Sequence, residues 1–443
     1  MRIVFVHPAA KSPKQAREDA RRHRQAILRG NMYFHPFEPP LGLAGLVASV
    51  KAHGHDAVLI DMPGLGMEPG DLPRALSEAR PDMVGISAMT TTLSAALAAA
   101  RSLKQVLPGV PVVVGGVHPT VAPESVLADP AVDFAARGEG ESMLMPILSG
   151  GLTRPASVPG LCFRDRTGAV KVTGKAPLVR ELDTLPEPDY ASFPAKTYAE
   201  YTTDLRGMRA ISMMVSRGCP YPCSFCAVSQ TMGSKWRAIS PESAASRMIR
   251  LCRQLDLEGV WFKDSVFNMR PEWARRFSQS LMREKTGFKF SINTRVDLVT
   301  PKEMELLAKA GLEQVDLGIE SGSQKTLDTL KKMITPQKSR QAVEVLKDLG
   351  IKAAGFFMIG VPGETEDDVK RTLDLAGDLQ LDRVSVSVFT PLPGSALYER
   401  LLGEGRIPDD PAFFSRVHFT DSDVSFCEVP MERLREIQEQ MSR

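Results

Sequence analysis

The chain has no run approaching the roughly 18 apolar residues of a membrane-spanning helix; the longest candidate, Leu93–Ala100, is closed by Arg101. It has almost no excess charge, with a formal +2 over 443 residues, so no global field grips nucleic acid or acidic lipid. Its six cysteines are too few for a disulfide scaffold. No histidine occurs between His118 and His418. The opening stretch, MRIVFVHPAA, has too short an apolar run for an export signal and reads as a first strand, so a cytoplasmic location is expected. The one local charge concentration, Lys11–Arg29, is basic and reads as a solvated helix face rather than an anion-binding arm.

What is present is an ordinary globular composition, 43% hydrophobic and 24% charged, in a chain long enough for two or three domains. Residues 1–150 alternate short apolar runs with amphipathic stretches: RIVFVHP, DAVLIDM, DMVGISA and PVVVGG as strands, Leu43–Ala52, Leu72–Ala79 and Leu93–Leu107 as helices. That alternation predicts an α/β, Rossmann-like, doubly wound parallel sheet. Its strand carboxyl ends, where such sheets bind ligands, carry Asp61, Ser87 and the pair Gly115-Gly116. Residues 151–204 are expected to be a linker region, its proline-rich acidic part being RELDTLPEPDYASFP at 180–194. Six further strand and helix units over 205–400 predict a partial (β/α)6 barrel of the TIM type, active at its strand carboxyl ends. Residues 401–443 read as a short helical extension.

Half of the cysteines lie in GCPYPCSFC, residues 218–226. Pro220 and Pro222 stiffen that loop, and Gly218 permits a sharp exit from the preceding strand. Three thiolates, Cys219, Cys223 and Cys226, can hold three corners of a [4Fe–4S] cube and leave the fourth iron open. Structural zinc is the alternative, but it needs a fourth ligand nearby, and Cys252 falls in a helical stretch. Cys162, Cys252 and Cys427 stand alone and read as packing residues.

CPYPCSFC resembles the signature of radical S-adenosylmethionine (SAM) enzymes. SINTRVD, LGIESGS, FMIGVPGET and VFTPLPGS follow in that family's order over about 210–400. The resemblance implies that SAM chelates the open iron through its methionine amino and carboxylate groups, and that electron transfer releases a 5′-deoxyadenosyl radical. It further implies Phe225 against the adenine and Arg295 paired with the bound carboxylate in a fork. It places Glu320 and Ser321 on the ribose or the carboxylate, and Gly360 to Glu364 beside adenine with Glu364 bracing the turn. Asp264 is implied to hold the amino group, although the usual second acid is Ser265 here. Trp261, Phe267 and Met358 either shape an apolar pocket or belong to the core.

Residues 1–150 look like the cobalamin-binding domain of one branch of that family, carried by PPLGLAGLVASVKAHGHDAVLID, VGISAMTTT, VVVGGVHPTVAPE and ARGEGE. The resemblance implies hydrogen bonds to the corrin amides from Ser87, Thr90, Thr91 and Thr92, a backbone approach to the nucleotide tail at Gly115 and Gly116, and further cobalamin contacts from His118 and Glu139. A packing role for His118, and an empty or nucleotide-binding domain, remain alternatives. Many cobalamin proteins carry D-x-H-x-x-G with the histidine below cobalt; DMPGLG, Asp61 to Gly66, has Pro63 there, so no imidazole is expected from that motif.

The implied activity is methylation of an unactivated carbon in a small-molecule, lipid or natural-product substrate. An external donor such as flavodoxin or ferredoxin would supply electrons. A radical cyclase or rearrangement enzyme is the second possibility, and an iron–sulfur electron-transfer protein the non-enzymatic one. RNA methylthiolation calls for further cysteines before the triplet, and residues 1–161 contain none. No particular catalytic base or substrate is legible.

Overall fold

The computed structural model describes residues 1–9, 38–201, 208–408, 411–414 and 424–441, so the basic segment Lys11–Arg29 lies outside the described residues. Two sheets organise the chain. The first contains β1 (Arg2–His7), β2 (Asp56–Asp61), β3 (Met83–Ser87), β4 (Val112–Gly115), β5 (Phe134–Ala136), β6 (Leu161–Arg164) and β7 (Val170–Lys171), in the order β2-β1-β3-β4-β5-β6-β7. β1 to β5 pair in parallel, whereas β6 and β7 are antiparallel additions at one edge. The sheet thus runs past residue 150 into the stretch expected to be linker. Period-2 alternation sends Ile3 and Phe5 to one face of β1 and Val4 and Val6 to the other. All four are buried, so both faces of the sheet are covered.

A short hairpin pairs β9 (Ser216–Arg217) with β10 (Arg237–Ala238). The second sheet is all parallel and follows chain order: β8 (Ala210–Met213), β11 (Gly259–Phe262), β12 (Lys289–Arg295), β13 (Leu312–Glu320), β14 (Lys352–Ile359) and β15 (Arg383–Val388). This is the expected partial barrel. Its outer helices show why the chain folds locally as it does. Four begin on proline, at Pro241, Pro271, Pro301 and Pro336, where the missing N–H costs no helix bond. The helix Glu366–Leu379 is capped instead by Thr365, whose hydroxyl takes the Asp368 N–H while Asp368 takes the Thr365 N–H.

The proline-rich stretch before the barrel is a docked strap. Leu182 and Phe193 are buried. The Asp189 N–H donates to Ala44 O on the first-sheet side at 3.1 Å, while Tyr190 Oη donates to Ser212 O on β8 at 3.1 Å. Phe267 belongs to an aromatic core with Phe262, Trp273, Phe277 and Phe290. Trp261 is equally buried, with the Lys263 ammonium over its ring. Met358 packs half-buried against the core. No described helix is long and apolar enough to cross a membrane.

Candidate active site

The cysteine loop leaves β8 through β9, and Gly218 makes the turn at φ +83°. A Cβ there would sit 2.3 Å from Lys235 O, so no other residue fits. The loop is pinned along its length. Cys219 N–H donates to Gly233 O at 3.1 Å and Ser224 N–H to Leu330 O at 2.9 Å. Ser224 Oγ reaches Thr329 O at 2.8 Å, and Ser224 O accepts from Leu397 N–H. All three cysteines carry free, half-buried thiols.

Two cations face these thiols. Arg295, the last residue of β12, lies with Nη1 3.8 Å from Cys223 Sγ and its guanidinium 3.7 Å from the centre of the Tyr221 ring. Its Nη2 donates to Lys332 O at 2.7 Å. Lys332 Nζ lies 2.6 Å from Glu320 Oε1 and 5.8 Å from the Phe225 ring centre, in a pair less than a tenth exposed. Burial pushes the Cys223 thiol up, and Lys332 and Arg295 draw it partly back. Burial raises Cys226 to about 11. A bound metal centre would therefore have to displace these protons, as thiolate ligation generally does. Among the described residues no three His, Cys, Asp or Glu side chains suit a single ion. Three sulfurs without a common focus fit a cluster, in which each thiolate takes its own iron.

Several expected ligand contacts are otherwise engaged. The Arg295 fork is turned to Asp297, with Nε to Oδ1 at 2.9 Å and Nη2 to Oδ2 at 3.3 Å. Asp264 is a brace rather than an open carboxylate: it is fully buried and accepts from Val215 N–H, Ser216 N–H and Ser216 Oγ, holding the strand exit that leads to the loop. Burial raises it to about 7. Ser321 is wholly buried and paired with Thr372 Oγ1 at 2.9 Å, so it supports the backbone.

Glu320 sits at φ +67°, a left-handed conformation rare outside glycine, where the β13 register slips. That turn directs its carboxylate to Lys332. Gly360, at φ +80°, passes against Leu434 of the helix Met431–Met441, which a Cβ would meet at 3.0 Å. Glu364 braces its turn as expected: Oε2 accepts from Val361 N–H at 2.9 Å and Oε1 from Thr326 Oγ1 at 3.0 Å. Burial lifts it to about 7.

On the first sheet, Ser87 and Thr91 stay half-buried, and their side-chain hydroxyls have no hydrogen-bond partner among the described residues. Thr90 is buried against His118 Nδ1 at 3.1 Å, and His118 Nε2 meets Ser125 Oγ at 2.8 Å. His118 also packs edge-on to Phe414 and is driven down to about 4 by burial, so it is a packing residue. Gly115 has ordinary room, whereas a Cβ on Gly116, at φ +114°, would lie 2.6 Å from Ala88 O. Gly116 therefore serves a backbone approach within the sheet. Glu139 is spent on the β9–β10 hairpin and the chain before it: Oε1 meets Arg237 Nη2 at 2.8 Å, and Oε2 accepts Val179 N–H at 2.7 Å. Neighbouring Glu141 pairs with Arg217 at 2.7 Å.

Sequence reading missed Lys332 and Arg237, whose partners lie far along the chain, and passed over Tyr221 and Asp297 although both stand inside the quoted motifs CPYPCSFC and SINTRVD. A cavity of about 230 Å³ lies beneath the strap beside Met213, Met214 and Arg247, and no cysteine lines it. The carboxyl ends of the two sheets do meet. The helix Val117–Val121, just after Gly116, packs on Val228–Thr231, just after Cys226, and Gly394 lies against Val121 and Gln230.

Comparison with known proteins agrees with this architecture. The profile of the radical SAM superfamily matches residues 213–376, and that of the B12 binding domain residues 34–148. An uncharacterised methyltransferase of Pyrococcus horikoshii is 33% identical over 365 residues, covering 82% of this chain and 78% of its own. An anaerobic magnesium-protoporphyrin IX monomethyl ester cyclase of Rubrivivax gelatinosus is 27% identical over 90% of this chain and 70% of its own. Among solved structures, the radical SAM methyltransferase TsrM of Kitasatospora setae, with cobalamin and a [4Fe–4S] cluster bound, shares the fold at a TM-score of 0.73. Its identity is 18%, over 94% of this chain and 84% of that one. The chain belongs to the radical SAM superfamily, with a B12 binding domain ahead of its radical SAM domain.

Proposed function

We propose that this chain is a cobalamin-dependent radical SAM methyltransferase that methylates an unactivated carbon of a small-molecule, lipid or natural-product substrate. The observation that carries this reading is the meeting of the two sheets' carboxyl ends at the cysteine loop, through Val117–Val121, Gly394 and Val228–Thr231. That meeting supports a reading in which a corrin and a cluster face each other across one interface. When bound, the cofactors supply one-electron cleavage of SAM to a 5′-deoxyadenosyl radical and a transferable methyl group.

The residues of the chain divide the work of holding these groups. Cys219, Cys223 and Cys226 offer the three thiolates. Arg295 and Lys332 favour their charged form and, with Glu320, present charged ends for the methionine part of SAM. Phe225 and the turn Gly360–Glu364 flank the adenine, and the Glu364 bonds to Val361 and Thr326 hold that turn. Ser87 and Thr91, whose hydroxyls lack described partners, are the side chains this reading assigns to the corrin amides. Electrons come from an external donor such as flavodoxin or ferredoxin.

A cyclase reading draws support from the Rubrivivax gelatinosus relative. One experiment separates the two. The anaerobically reconstituted protein, loaded with cobalamin, is given methyl-labelled SAM, a one-electron reductant and substrate candidates. Methyl transfer yields 5′-deoxyadenosine and S-adenosylhomocysteine together, with label in the product. Cyclisation yields no labelled product. Absence of 5′-deoxyadenosine with every candidate sinks both.

A further inference from the structure

Pro63 denies cobalt an imidazole from DMPGLG, yet an imidazole stands immediately beside it. His7 closes β1 and Asp61 closes β2, paired Cα to Cα at the carboxyl edge of the sheet. His7 Nδ1 lies 2.8 Å from Asp61 Oδ1. Asp61 is fully buried, and Tyr198 Oη donates to it at 2.9 Å. With Nδ1 turned to the carboxylate, Nε2 is the ring nitrogen left to face a further partner. Nε2 has no hydrogen-bond partner among the described residues, and the side chain is 19% exposed. A ring N–H held by a carboxylate is how proteins orient a metal-binding histidine and make its other nitrogen more basic.

Topology puts His7 at the edge of the sheet where a ligand would sit. The order β2-β1-β3 reverses direction at β1, so the ligand crevice opens between the carboxyl ends of β1 and β3. His7 and Ser87 border it. Of the other described histidines, His118 uses both nitrogens, and His53 and His55 precede β2, at the opposite, amino edge of the sheet.

We propose that His7 Nε2 is an axial ligand of the cobalt in bound cobalamin, with Asp61 and Tyr198 as its positioning residues. The proposal rests on the cobalamin reading of the first sheet, and the two can fail separately. The test is electron paramagnetic resonance of the full-length protein loaded with cob(II)alamin, with and without nitrogen-15 histidine. Ligation by His7 gives nitrogen triplets on the cobalt lines that become doublets on labelling and vanish in His7→Ala. The labelled wild type needs no variant to fold. Triplets unchanged by the label, absent nitrogen coupling, or doublets that persist in His7→Ala overturn the assignment of His7. A protein that takes up no corrin, judged by its absorption spectrum, overturns the cobalamin reading and this proposal with it.

Discussion

Lys332 and Glu320 neutralise each other in a site almost closed to water, and either alone would be a buried, uncompensated charge. Lys332→Met should therefore destabilise the protein by about 3–5 kcal/mol in a denaturant titration, and Glu320→Gln in the same chain should recover part of the loss. Glu364 gives a signed pH effect. Its folded value is about 7 against an ordinary 4.5, because burial disfavours its charge. Between those values only the unfolded chain has released the proton, so this residue's contribution to stability is full below 4.5 and is lost as pH rises through 7. In cluster-free protein, Glu364→Gln should flatten the fall in urea stability from about pH 5 to about pH 7.5 by up to about 3 kcal/mol. Equal slopes in the two proteins would contradict that account. The clustering of Cys219, Cys223 and Cys226 was legible from their spacing, and the bracing of its turn by Glu364 from the resemblance carried by FMIGVPGET. Lys332 was not: it falls in a turn between Lys331 and Met333, both at positive φ, with no periodic signal to mark it.

Among the elements, the cysteine loop depends on one glycine. Gly218→Ala would place a methyl 2.3 Å from a backbone carbonyl at a left-handed φ. Two penalties coincide, so a loss of roughly 1–3 kcal/mol or more is expected, with iron content after reconstitution falling alongside. Gly363→Ala is the control, since its φ is also positive but its Cβ meets nothing; it should retain more iron. The barrel strands were readable as short apolar runs, and their order followed from the alternation with helices. The antiparallel strands β6 and β7 were not, because four residues and two residues give no lasting period. Nor did DMPGLG show its structure. It forms a short helix at Met62–Leu65, while Asp61 turns back to His7 and Tyr198, a pairing across distant segments that no spacing announces.

At the scale of the molecule, the two sheets do not own separate cores. One buried cluster runs from Ile3 and Phe5 through Phe193 and Tyr198 to Ile211 and Val260. The other runs from Val4 and Val6 to Phe389, Leu397 and Phe414. The ion pairs of Glu139 with Arg237 and Glu141 with Arg217 cross the same boundary. Unfolding should therefore be a single cooperative transition, with tryptophan fluorescence, which reports only on the barrel side through Trp236, Trp261 and Trp273, coinciding with far-ultraviolet circular dichroism. Two separated transitions would show that the shared cores do not couple the halves. The strap across 182–193 adds a consequence for engineering. Because it is bonded to Ala44 on one side and to Ser212 on the other, it behaves as a fitted part of both halves. A chimera that exchanges the amino-terminal half with a relative's at residue 150 would inherit a mismatched strap. The exchangeable unit is the half together with its strap and the acidic residues that grip the hairpin.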